Sequence, residues 1–213
     1  MKSPSRFLTM ACLTAASITL IATATTRAQT ASEAVISKID AQLVTAPAVS
    51  YSGATAKTVP SKKWLEVEAT FAWQPPNPNE KYSDDLVVND YVLLNNKSPL
   101  YPQGAMLTGQ TALSSVPARS LDPKNGELKT VIYASARTLE RMFGGKAPTD
   151  NSAIVDVGVT ISKQGQIIAQ KSLKSTSGSW WPQYQQVPGF LLNKSETPFA
   201  PLNWDYYEAA KKQ

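Results

Sequence analysis

Three aspartates come nearest to a chemically usable arrangement in this chain. Asp84, Asp85 and Asp90 lie where a Pro-rich loop gives way to a β-rich run. Carboxylates paired across a sugar can do glycosidase work, and clustered carboxylate oxygens in a turn can hold a weak Ca²⁺. A turn carrying exposed charge accounts for the same residues without either chemistry. Ser61-Lys62 and Ser162-Lys163 could in principle supply Ser-Lys dyads, but both pairs read as solvated strand ends. The chain has no His, and Cys12 is its only Cys. Once an N-terminal leader is removed, thiol catalysis, Ser-His-Asp catalysis and His-ligated zinc are all excluded. Gly144-Gly145 fits a helix stop better than a phosphate cradle. Asn96-Lys97-Ser98 and Asn193-Lys194-Ser195 match the glycosylation sequon, a short pattern that recurs by chance. Composition therefore points away from an enzyme, with no catalytic residue, cofactor or metal site expected.

The elements that would position any site are strands. In Trp64 to Trp73, residues Leu65, Val67, Ala69, Phe71 and Trp73 share one face, and Glu66, Glu68 and Thr70 the other. That is the alternation of a half-buried strand. The prolines at 75, 76 and 78 end it, because Pro cannot donate to a ladder. Further strands are expected over Leu86–Leu94, Met106–Val116, Lys129–Ala134, Ala153–Ile161 and Gln166–Leu173, with a tight turn at Ser162–Gly165. Val35–Val44 reads as one more strand or the start of a short helix. One internal helix follows Ser135 as its cap, with Leu139, Met142 and Phe143 on one side. Strands joined by hairpins and Pro/Gly-rich links, without long alternating helices, predict an all-β antiparallel β-sandwich.

Residues 176–213 differ in kind. They hold Trp180, Trp181, Tyr184, Phe190, Phe199, Trp204, Tyr206 and Tyr207 among four prolines. This is too aromatic for a disordered tail and too Pro-rich for regular structure. One reading is a strap that packs its aromatics across the sandwich. The other makes Trp180, Trp181 and Tyr184 an exposed binding patch, since Trp and Tyr are enriched at binding hot spots. Asp205–Lys212 is expected to end the chain as a short helix.

The N-terminus reads as a secretory signal peptide over residues 1–28. Lys2 and Arg6 precede an apolar run from Phe7 to Ala24, and Thr26-Arg27-Ala28 supplies small residues at −3 and −1. Cleavage is expected after Ala28, with Ala22-Thr23-Ala24 as an alternative site; an uncleaved membrane anchor and acylation at Cys12 are weaker alternatives. Losing Lys2, Arg6 and Arg27 reduces 21 basic side chains to 18 against 16 acidic ones, leaving a net charge of +2. No basic patch interleaved with aromatics stands out, so nucleic acid is not an expected partner. Without cysteines in the exported part, stability must come from core burial rather than cross-links. The expected layout is a leader at 1–28, the sandwich at 29–175 and a C-terminal extension at 176–213 packed on it.

Several stretches resemble a family of small exported proteins of Verrucomicrobia and related bacteria encoded near type IV pilus-like genes. The resemblance rests on Leu107-Thr108-Gly109, on Tyr133 to Arg141, and on Ser195 to Leu202 with Trp204-Asp205-Tyr206-Tyr207-Glu208. It implies an immunoglobulin-like β-sandwich, related in shape to the globular domains of archaeal type IV pilins, and a role in a pilus-like or secretion assembly. It implies no catalytic residues. Pilins keep an apolar helix after processing, whereas here the apolar run precedes an ordinary signal-peptidase site. The product would act as an accessory, a cap, or a subunit joined by strand exchange through its polar arm from Gln29. The expected function is thus non-enzymatic contact with other envelope or pilus-like proteins in the periplasm or at the cell surface, with self-association through a sheet edge open and membrane contact only if the leader stays. The alternative is a carbohydrate-binding or adhesin sandwich.

Overall fold

Alternating sequence becomes pleated strand wherever one face can be buried, and this chain does so repeatedly. The computed structural model describes residues 33–51, 57–59, 61–98, 100–119, 127–176, 178–203 and 206–211. The expected leader, its cleavage sites, Cys12, Gln29 and Trp204-Asp205 lie outside the described residues. Along the chain run β1 (Ala34–Thr45), β2 (Val49–Tyr51), β3 (Lys57–Val59), β4 (Lys63–Trp73), β5 (Tyr82–Ser83), β6 (Leu86–Leu94), β7 (Met106–Ala112), β8 (Val116–Pro117), β9 (Leu128–Ala134), α1 (Ala136–Met142), β10 (Ile154–Lys163), β11 (Gln166–Ser172), β12 (Gln186–Pro188) and β13 (Leu191–Asn193).

Two sheets carry the fold. One orders its strands β1-β4-β9-β13, the other β11-β10-β6-β7-β12. Leu65, Val67 and Phe71 of β4 and Ile132 of β9 meet Val88, Val92, Val157, Val159 and Ile161 of the second sheet in a single buried cluster. This is the β-sandwich its alternation predicts. One pairing departs from the antiparallel expectation: β12 runs parallel to β7 over Met106–Thr108. The stretch Met106–Val116 is not one strand either. Ser115 takes a positive φ of 52°, which breaks the run between β7 and β8.

Local chemistry sets the connections. Gln164 and Gly165 both have positive φ, 51° and 79°, and make a two-residue turn between β10 and β11. The Ser135 hydroxyl accepts from the Thr138 amide at 3.0 Å, capping α1. Leu139 and Met142 then enter the core, and Gly144 follows with φ 69°. Residues 206–211 are not helical, contrary to expectation. Their backbone is taken by tertiary bonds: Glu208 donates to the Lys129 carbonyl at 2.8 Å and Lys211 to the Ala112 carbonyl at 2.8 Å.

Candidate functional site

The aromatic segment after residue 176 lies against the sandwich on both sides. Gly158 of β10 pairs with Tyr91 of β6, which pairs with Thr108 of β7. This row faces away from the core, and Trp181 lies on it. The indole stacks on Tyr91 with ring centres 4.9 Å apart and planes within 7°. A Cβ on Gly158 would lie 2.4 Å from the Trp181 ring, so the glycine is the seat of the indole. Trp180 meets Trp181 and Tyr184 edge-on and donates its N–H to the Ser172 hydroxyl at 2.8 Å. Trp180 is 9 % exposed and Trp181 5 %, while Tyr184 is half-buried. The geometry brings the three sequence-selected residues together, but with both indoles under cover rather than displayed.

Ser172 links this cluster to a second anchor. The buried Asp156 carboxylate accepts from the Ser172 hydroxyl at 2.9 Å and from the amides of Val157, Lys174 and Ser175 at 2.7, 2.9 and 3.1 Å. Such a set of donors satisfies a buried carboxylate without a counter-charge. It pins the start of the strap to β10.

On the other sheet, Phe199 stacks on Tyr133 at 4.6 Å and meets Trp64 edge-on at 5.8 Å. Tyr133 and Tyr207 donate their hydroxyls to Glu66 and Glu68 at 2.9 and 3.0 Å. Burial first, and those carboxylates second, hold both phenols well above the usual tyrosine range. Between the two faces the segment closes the side of the sandwich where β7 and β9 would otherwise end the sheets. β12 adds to β7, β13 adds to β9, and Ala210 bridges to Leu113. The extension is therefore built into both sheets as well as packed on them.

The acidic residues do not converge. Asp84 and Asp85 are exposed and bond to the Ser115 amide and the Gln164 side chain. Asp90 points into the core, 3 % exposed, beside Gly109 and Val159. Its carboxyl has no hydrogen-bond partner among the described residues, and burial pushes its pKa up to about 7. No group of three or more Asp, Glu, Cys or His able to hold a metal occurs among the described residues. The Ser162 hydroxyl bonds to the Val87 carbonyl, whereas the Lys163 ammonium pairs with Glu80 at 2.7 Å, so that pair makes no dyad. Asn96 is no glycan acceptor in this fold: it is buried, donating to the Met142 carbonyl and accepting from the Ala105 amide. Asn193 accepts from the Thr111 hydroxyl at 2.7 Å.

Two accessible surfaces bear on function. One is a groove of about 470 Å³ beside β12 and β13, floored by outward-facing residues of β6 and β7. Sequence reasoning missed it because β12 and β13 are too short to show a period. The other is the side of the sandwich opposite the strap, where β1 and β11 are the outer strands. Within β1 the edge is partly blunted. A register shift falls between Ile36 and Lys38, Lys171 donates to the Ser37 carbonyl, and Asn151 accepts from the Leu43 amide at 2.9 Å. β11 pairs with β10 alone among the described residues, and its Ile167 is 55 % exposed.

A family model matches residues 25–213, and the chain belongs to that family. In shape it is similar to a protein from Akkermansia muciniphila known from a crystal structure, with a TM-score of 0.65 and 22 % sequence identity. The match covers 85 % of this chain and 94 % of that one. That likeness carries the fold, and its verrucomicrobial source agrees with the resemblance read in the sequence. No curated protein matches the chain. No helix among the described residues is long and apolar enough to cross a membrane.

Proposed function

We propose that the chain is a non-enzymatic extracytoplasmic protein that makes protein–protein contacts in a pilus-like or secretion assembly, through the β1/β11 side of the sandwich. The observation that carries the reading is β11 itself, the outer strand of its sheet, which bears the exposed Ile167. An outer strand offers backbone groups to a strand from another chain, and an exposed apolar side chain gives that strand something to bury. The strap is a poorer candidate because the Trp180 and Trp181 indoles are already spent on Tyr91, Gly158 and Ser172. Export is supported by the leader pattern, and the chain carries no Cys after Cys12.

The test uses that absence. Ile167→Cys and Gln185→Cys, each labelled with a photoreactive maleimide, report on β11 and on the exposed strap. Irradiation in the native envelope, followed by mass spectrometry of the adducts and of the bait's N-terminus, reads partner and processing together. A discrete protein adduct from position 167 but not 185, on a chain starting at Gln29, is the expected result. Adducts only from 185, or none from either, would overturn the assignment to this side.

A further inference from the structure

The groove beside β12 is lined by amide, hydroxyl and apolar side chains with Glu196 as its one charged group, and it continues a polar row laid out in register. Gln170 of β11, Thr160 of β10, Asn89 of β6 and Gln110 of β7 stand opposite one another across four strands. All four project from the outer face, in the row next to the one on which Trp181 sits. Asn89 and Gln110 enter the groove, where Tyr91, Thr108, Gln186 and Glu196 join them. We infer that this groove is a binding site for a neutral, hydroxyl-rich ligand, an oligosaccharide. It lies apart from the β1/β11 side and does not depend on the reading given above.

Three observations select that ligand class. The first is charge. Among the lining residues only Glu196 is a carboxylate and none is cationic. A phosphate or acidic glycan would find no counter-charge, whereas sugar hydroxyls donate to carboxylates and exchange paired hydrogen bonds with amides. The second is that several groups are free to bond. The side chains of Thr108, Gln110 and Gln186 have no hydrogen-bond partner among the described residues, and Gln110 and Gln186 are exposed.

The third observation is that the rest are held in place. Asn89 donates to Thr160, itself 1 % exposed, at 3.3 Å, which fixes the amide plane and leaves its oxygen directed elsewhere. One carboxylate oxygen of Glu196 takes the Asn193 amide at 2.8 Å and the other is left over. Tyr91 is clamped by Trp181. Such anchoring lowers the cost of ordering side chains on binding. Pro188 and Leu192 supply an apolar wall for the C–H face of a ring, and the volume lies in the ordinary range of ligand pockets.

The site can be read directly by NMR, since side-chain amides of Asn and Gln give their own signals. The probes are neutral tetrasaccharides built from glucose, mannose, xylose and N-acetylglucosamine, titrated separately into the ¹⁵N-labelled chain. Saturable shifts of the Asn89, Gln110 and Gln186 amides with at least one of them are expected. Gln110→Ala with Gln186→Ala should weaken that binding about tenfold, because two hydrogen bonds to the ligand are lost. Both residues are exposed, so the double variant should melt with the parent. Shifts that map elsewhere, survive the double variant, or never saturate would overturn the inference. So would shifts of the Gln110 backbone with an extended neutral peptide and none with any saccharide, which would reassign the groove to strand addition along β7.

Discussion

Replacing Asp90 by Asn should change how the stability of this protein responds to pH. Asp90 sits on the core face of β6 between Val88 and Val92, opposite Gly109 and Val159, with no partner for its carboxyl among the described residues. The nearest charged side chain in its row is Lys171 on β11, and that ammonium is turned to the Ser37 carbonyl. Unfolded, the group loses its proton near pH 3.8; folded, burial delays that to about 7. Between those values the folded state binds more protons than the unfolded one, so stability falls as pH rises through the window. It is level below about 4 and above about 7. At about 1.36 kcal/mol per pH unit the parent loses about 4 kcal/mol between pH 4 and 8. The Asp90→Asn variant carries an amide that cannot ionise there and should lose nothing from this site. Urea unfolding followed by Trp fluorescence at single pH steps from 4 to 8 measures the difference. The two proteins should be close at pH 4 and diverge to about 4 kcal/mol at pH 8, or about 8–16 °C in Tm. Parallel profiles would refute the reasoning, because they would mean the Asp90 carboxylate is solvated or paired in the folded state.

Three further changes test the rest of the architecture. Asp156→Ala removes the acceptor of the Val157 and Lys174 amides and one partner of the Ser172 hydroxyl, and should cost about 3 kcal/mol by the same urea assay. Gly158→Val drives a side chain into the space of Trp181 and should red-shift indole emission and expose the strap to limited proteolysis, without dissolving the sheets. Phe199→Ala removes the stack on Tyr133 and should cost about 3–4 kcal/mol, measured by thermal melting, with cleavage near Lys194 accelerating in parallel.

Much of the frame is legible in the sequence alone. The β4 alternation holds from Leu65 to Ala69, β6 coincides with the run from Leu86 to Leu94, and Ser135 caps the helix as its position predicts. Such features depend on neighbours in sequence. What escapes a sequence reading depends on neighbours in space. Proximity groups Asp90 with Asp84 and Asp85, although Val88-x-Asp90-x-Val92 already places it on the inward face. Gly109 and Gly158 look like ordinary strand glycines. Their meaning appears only when Ile132, Leu191 and Trp181 arrive where a Cβ would stand. The last residues favour a helix locally, but Lys129 and Ala112 offer better bonds. The candidate groove is invisible for the same reason, since it joins the polar row of one sheet to a loop almost a hundred residues further along the chain.

The clasp formed by residues 186–203 and 206–211 also sets a timetable. β12 and β13 are each the outer strand of a sheet, and both are followed by the residues that bridge to Leu113, Ala112 and Lys129. They come later in the chain than β7 and β9, the strands they complete. Without them β7 and β9 would end in open ladders, so the sandwich is complete only once these later residues have joined it. A chain exported as proposed above has to stay threadable over its whole length. Because the closing strands follow in chain order every strand they complete, such a chain keeps its sandwich open until they too have crossed.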